Sequence, residues 1–252
     1  IASVAAPLTF VYSAMHGVGW ETAHAVFAAA GFGEPVVVTQ QIEPDAAFPT
    51  VAFPNPEEPG AMDLTFARAA EVGADIAVVN DPDADRLAVA IPSASGWRRL
   101  SGNEVGYLLG WRVAERSGPD GVLAASIVSS PALRAVAQAY RLAYEDTLTG
   151  FKWIARVPGL VYGYEEALGY CTAPEIVRDK DGITAAVAIA ELARAAAAQG
   201  RTLVDELDAG GFVRFAGRVS DDELVEITPK SVRLRKRHLK EHERKRASRE
   251  AG

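Results

Sequence analysis

The sequence predicts an α/β protein built from two similar three-layer α/β/α domains with mixed sheets, followed by a basic C-terminal tail. Three observations carry this. Strand-length apolar runs alternate with helical patterns, the alternation occurs twice over about the same length, and the charge balance reverses near residue 230. The predicted boundaries are 1–99, 100–209 and 210–252.

In the first unit, strands are expected near 8–13, 35–39, 75–80 and 87–91, with helices over 20–30 and 61–72. Gly31 ends the first helix. Between Gln40 and Gly60 lies a long loop with five prolines, and loops of that length tend to be functional. The second unit opens on Ser101-Gly102-Asn103-Glu104, a capping signature for a helix ending near Gly118. Strands at 121–127, 142–146 and 160–163 alternate with helices at 131–140, from about 150, and at 183–199.

The chain of 252 residues is 49% hydrophobic and 23% charged, ordinary for a globular protein of one or two domains. One cysteine, Cys171, allows no internal disulfide and points to a reducing cytoplasm. Residues 1–20 lack the basic region of a signal peptide, and the apolar run Ile183 to Ala198 is interrupted by Glu191 and Arg194, so no membrane partner is expected. Residues 1–229 carry 16 Lys+Arg against 30 Asp+Glu, whereas 230–252 carry 10 against 3. The switch marks a separate tail, and nucleic acid is a partner only through 230–249.

The chemistry concentrates in Asn80-Asp81-Pro82-Asp83-Ala84-Asp85-Arg86, a tight connection between two buried strands. If the connection is extended, alternate residues share a side, which groups Asp81, Asp83 and Asp85. Carboxylates about 4 Å apart repel by roughly 4 kcal/mol per pair near a protein surface. A cation relieves that repulsion, and three hard oxygen donors suit Mg²⁺. Arg86 can meet a phosphate with a two-pronged hydrogen bond. Spacing alone fits a solvated acidic loop equally well. An EF-hand is excluded, because Arg86 stands where glycine is needed and Pro92 where a bidentate Glu is needed. A DxD phosphatase, with Asp81 as nucleophile and Asp83 as acid/base, stays open.

Further polar loops follow the predicted strands of the second unit, where open α/β sheets bind ligands. They are Ser126 to Ser130, Thr147 to Lys152, and Gly163 to Tyr170 with Glu165 and Glu166 adjacent. Arg178-Asp179-Lys180-Asp181-Gly182 reads locally as a charged helix start, and His16, at a strand end, as structural.

Together these loops resemble the α-D-phosphohexomutase superfamily of phosphoglucomutases and phosphomannomutases over residues 8–209. Asp81, Asp83 and Asp85 stand in its metal-ligand positions with Arg86 beside them. Gly163 to Tyr170 resembles its sugar-binding loop, with Glu165 matching the hydroxyl-binding glutamate, making Glu165, Glu166 and Ala167 the implied substrate contacts, with Ala167 where many members have serine. Lys152 matches the basic residue implied in proton transfer, and Lys180-Asp-Gly-Ile183 also matches. The resemblance implies Mg²⁺-dependent phosphoryl transfer on a hexose or pentose phosphate through a phosphoserine. No Ser-His-Asn-Pro loop occurs in these residues. The expectation is therefore a truncated chain, inactive alone unless a partner chain supplies the missing domains. Residues 220–249 resemble the C-terminal end of BipA/TypA-type translational GTPases, so 210–252 is expected to be foreign or disordered. An RNA- or ribosome-associated protein acting through that tail is the further alternative.

Overall fold

The computed structural model describes residues 8–210 and the backbone of 223–228 and 231–236. The first sheet contains β1 (Phe10–Ser13), β2 (Val36–Val37), β3 (Ile76–Asn80), β4 (Leu87–Ser93) and β5 (Gly96–Arg99). Its order is β2-β1-β3-β4-β5, parallel across β2, β1 and β3 and antiparallel from β3 to β5. α1 (Trp20–Ala29) and α2 (Asp63–Val72) connect its strands. All five residues of β3 are buried, and each of Val78, Val79, Leu87 and Val89 contributes about 2 kcal/mol through burial.

The second sheet contains β6 (Val122–Ser126), β7 (Ala143–Thr147), β8 (Leu160–Glu165) and β9 (Gly169–Cys171), in the order β7-β6-β8-β9. It is parallel through β7, β6 and β8 and closes with an antiparallel β8–β9 pair. The sequence β2-β1-β3-β4 and the sequence β7-β6-β8-β9 thus have the same order and directions. The two units repeat one topology, and the β3–β4 and β8–β9 turns occupy equivalent places in it.

α3 (Gly102–Ala114), α4 (Ala132–Tyr140), the single turn α5 (Phe151–Ile154), α6 (Gly182–Ala197) and α7 (Leu203–Gly210) complete the described fold. Ser101 and Glu104 form the expected capping box of α3. Stacked Tyr162, Tyr164 and Tyr170 pack beneath that helix, and the first and last donate to its Gly106 and Gly102 carbonyls. The alanine-rich α6 packs against β3 and β4 of the first sheet as well as β9 of the second. One hydrophobic core therefore runs through both sheets.

Several predicted spans differ. The strand at 35–39 shrinks to two residues, since Pro35 donates no hydrogen bond and a turn of 3₁₀ helix begins at Thr39. The helix from Ser101 ends at Ala114, and the one from 150 is a single turn. The sequence reading missed β5, whose Arg98 and Arg99 break the apolar pattern, and the three-residue β9. No helix among the described residues is long and apolar enough to cross a membrane. In the tail, β10 (Glu223–Thr228) and β11 (Ser231–Lys236) pair as an antiparallel hairpin, where disorder was one expectation. In β11, apolar and charged residues alternate through Val232, Arg233, Leu234 and Arg235, the period of a strand. The rest of 211–252, with most of the expected basic segment, lies outside the described residues.

Candidate active site

The β3–β4 connection is a turn and not the extended segment the sequence reading assumed. Ala84 N donates to Asp81 O at 2.9 Å, and Ala84 takes a left-handed φ of 59°. The turn still gathers the three carboxylates: one oxygen each from Asp81, Asp83 and Asp85 lie within 4.8 Å of one another. Asp81 is buried, Asp85 half-buried and Asp83 exposed. An all-oxygen donor set without His or Cys fits a hard divalent ion, and the exposed Asp83 leaves a face open to water or a phosphate.

Arg86 governs Asp81. Its backbone N–H donates to Asp81 Oδ1 at 3.0 Å and its Nε to Oδ2 at 2.5 Å. Burial nevertheless dominates and raises the Asp81 pKa above the usual aspartate value, with Arg86 pulling the other way. From the proline-rich loop, Asn55 Oδ1 lies 3.5 Å from Arg86 Nη1 and Glu57 lies 3.6 Å from Arg99. Asn80 fixes the start of the turn, accepting from Tyr12 Oη at 2.9 Å and donating to Arg86 O at 2.8 Å.

The β8–β9 turn is bonded directly to this loop. Arg86 and Gly169 form an antiparallel bridge, and Leu87 N donates to Leu168 O at 3.1 Å. The N-terminus of α6 closes the third side, with Gly182 N donating to Ala84 O at 3.1 Å. A Cβ on Gly182 would lie 2.3 Å from Arg86 O, so only glycine permits this approach. Asp181 caps α6 by accepting from the N–H groups of Ile183 and Thr184, both at 3.0 Å.

The candidate residues separate in this geometry. Glu165 lies beside the stem of Lys180 near the aspartate turn: burial raises its pKa, Lys180 lowers it, and Glu166 and Asp85 raise it further. Glu166 turns to the β6–α4 loop, where its Oε2 accepts from Ser126 Oγ at 2.8 Å and Ser129 Oγ at 3.0 Å. Ala167 is half-buried in the turn between Glu166 and Leu168, whose φ is 66°. Lys152 is exposed on α5, its ammonium 5.6 Å from the centroid of the Trp153 ring rather than among the carboxylates. Lys180, by itself only a charged helix start in the sequence and given no role there, has its Nζ 2.7 Å from Asp85 Oδ2. Burial works against its charge, but the bond to Asp85 and the charges of Asp85 and Glu165 hold its pKa above the usual lysine value. The signal available for it was the Lys180-Asp-Gly-Ile183 match.

His16, only 4% exposed, is held by Thr50 Oγ1 at 2.8 Å and belongs to the packing of the proline-rich loop. Burial pushes the Cys171 thiol up to about 12, which disqualifies it as a nucleophile.

Two family models cover most of the chain. Residues 1–94 match phosphoglucomutase/phosphomannomutase, alpha/beta/alpha domain II, and residues 101–209 match domain III. A Haemophilus influenzae protein named "Probable phosphomannomutase" is 53% identical over 226 residues, covering 86% of this chain and 47% of that protein. Human phosphopentomutase is 44% identical over 219 residues, covering 79% of this chain and 36% of the enzyme. The chain therefore spans about half the length of these relatives, or less. A Burkholderia thailandensis phosphoglucomutase/phosphomannomutase family protein shares the fold with a TM-score of 0.66 at 20% identity, over 90% of this chain and 51% of that one. Two consecutive domain models and relatives at this identity lead to one conclusion: the chain belongs to the phosphoglucomutase/phosphomannomutase family and carries its domains II and III.

Proposed function

We propose that this chain supplies the metal-binding and sugar-binding parts of a phosphohexose mutase, an isomerase that moves a phosphoryl group within a hexose or pentose phosphate in the cytoplasm. One observation supports this above the others. The turn grouping the three aspartate oxygens within 4.8 Å is bonded backbone to backbone to the turn carrying Glu165.

In this reading Asp81, Asp83 and Asp85 hold Mg²⁺, which supplies positive charge to the phosphoryl group in transfer. Arg86 aims Asp81 and offsets part of the burial that disfavours its charge, and its remaining N–H groups hold phosphate beside the metal loop. Glu165 accepts from sugar hydroxyls, as its half-buried carboxylate suits. Lys180 brings a cation to the same cleft, while Lys152 assists proton transfer from the α5 loop. Glu166 and Ala167 shape the turn. With no Ser-His-Asn-Pro loop in these residues, the phosphoserine comes from outside them, in a partner chain or further sequence, and the 252 residues alone do not turn over. A DxD phosphatase, with Asp81 as nucleophile, fits less well, because residues 1–94 and 101–209 match two consecutive phosphoglucomutase/phosphomannomutase domains.

The test is calorimetric titration of Mg²⁺ into the wild-type chain and into Asp83→Asn. Asp83 is exposed, so the substitution leaves the fold intact. Loss of Mg²⁺ binding in the variant is expected. Equal binding in both proteins would refute the metal assignment.

A further inference from the structure

The Lys180 ammonium reaches the metal loop from a different part of the chain. It bonds Asp85 Oδ2 at 2.7 Å, and Asp85 Oδ1 lies 3.7 Å from Arg86 Nε. Both oxygens of the third aspartate thus already have cationic neighbours. The stem of Lys180 runs between the two functional turns. A Cβ built on Gly169 would lie 2.6 Å from Lys180 Cδ and 2.9 Å from Glu165 Cγ.

Building on the metal assignment above, we propose that Lys180 is a positioning residue that occupies Asp85 as an internal counter-cation and is displaced toward Glu165 when a divalent ion binds. An ammonium and a divalent ion sharing one carboxylate would repel at close range. Of the two neighbouring cations, Lys180 is the one able to leave. Arg86 is bound to the buried Asp81 through its backbone and its side chain, whereas Lys180 has a flexible four-carbon stem and a strongly hydrated head. Glu165 is a half-buried carboxylate beside that stem, its Cγ and Lys180 Cδ both within 3 Å of where a Gly169 Cβ would stand. Displacement therefore couples the metal loop to the sugar loop: filling the first delivers a cation to the second, where it meets Glu165 or an anionic sugar ligand. By linkage, an anionic sugar ligand held there would in turn tighten the metal.

The experiment compares Mg²⁺ affinity of the full chain, of Lys180→Met, and of Arg68→Gln, which removes one positive charge on distant α2. A crystal structure with Mg²⁺ bound complements it. Lys180→Met should bind Mg²⁺ about tenfold more tightly, the lower end of what a hydrogen bond to a charged group contributes. Arg68→Gln should match wild type, and the Mg²⁺-bound crystal should show the Lys180–Asp85 bond broken. Equal affinity for wild type and Lys180→Met, or a Mg²⁺-bound crystal that retains the bond, would overturn the inference and leave the metal assignment standing. Absence of Mg²⁺ binding by both would overturn the two together.

Discussion

Gly17 and Pro82 meet backbone to backbone. A Cβ at Gly17 would lie 2.2 Å from both the Cα and the carbonyl oxygen of Pro82, and Val18 N donates to that same oxygen at 2.9 Å. The loop after β1 is thus the floor on which the aspartate turn rests. Gly17→Ala must push Pro82 away, and since both partners are main chain neither can yield by rotating. The expected cost is about 3 kcal/mol, the upper end for overpacking, with weaker Mg²⁺ binding because Asp81 and Asp83 flank Pro82. Urea unfolding and Mg²⁺ titration check both effects. Wild-type values in each would remove the floor from the account.

Arg86 matters to stability as well as to ligands. Asp81 is only 1% exposed and both of its oxygens accept from Arg86. In Arg86→Met the backbone N–H remains, but the carboxylate loses its charged partner while staying buried. About 3 kcal/mol of stability should be lost, the lower end for breaking such a pair. The variant should recover more stability than wild type on adding Mg²⁺, because the ion replaces the lost positive charge. Denaturant midpoints with and without Mg²⁺ decide it, and a smaller gain in the variant than in wild type would contradict this role.

How much of this site the sequence carried depended on distance along the chain. The three aspartates were legible because they sit close together between two apolar runs of strand length. The geometry assigned to them was wrong, since Ala84 adopts a left-handed conformation that alternation does not anticipate. Lys180 was not singled out, because its place beside Asp85 depends on the docking of Gly182 against Arg86 O, a tertiary contact. Lys152 looked equally suitable in local sequence, yet its ammonium lies over Trp153. On local sequence alone the adjacent pair Glu165 and Glu166 looked equivalent too, and the family resemblance singled out Glu165. Only the position of Ser126 and Ser129 separates a carboxylate facing the cleft from one tied to its wall.

That tie gives a third prediction. Glu166→Ala removes the acceptor shared by the Ser126 and Ser129 hydroxyls, which lie 2.8 Å apart, and releases the β8–β9 turn from the β6–α4 loop. A loss of about 2 kcal/mol is expected for two hydrogen bonds to a charged acceptor at a half-buried site. Glu166→Gln, which keeps an acceptor oxygen, should restore most of it. Mg²⁺ affinity should stay close to wild type in both, since neither serine belongs to the metal loop. If Glu166→Ala abolished Mg²⁺ binding while remaining folded, Glu166 would have to be reassigned.

Glu165 should show the opposite balance between stability and binding. Burial raises its pKa above 4.5 despite the attraction of Lys180, so the folded protein holds this proton more tightly than the unfolded chain. The sign follows from linkage: where the folded state binds more protons, stability falls as pH rises. The loss is therefore incurred in a window beginning near 4.5 and ending above the raised folded value. Glu165→Gln removes the ionisation. Its melting temperature should exceed that of wild type at pH 7, and the difference should shrink as the pH is lowered into that window. The same variant should bind sugar phosphates more weakly, because an amide is a poorer acceptor for a hydroxyl than a carboxylate. Greater stability with weaker binding is the pattern of a group retained for its ligand. Thermal melts across pH, paired with sugar phosphate titrations, measure both; a variant less stable than wild type at pH 7 would mean that the Lys180–Glu165 attraction outweighs burial.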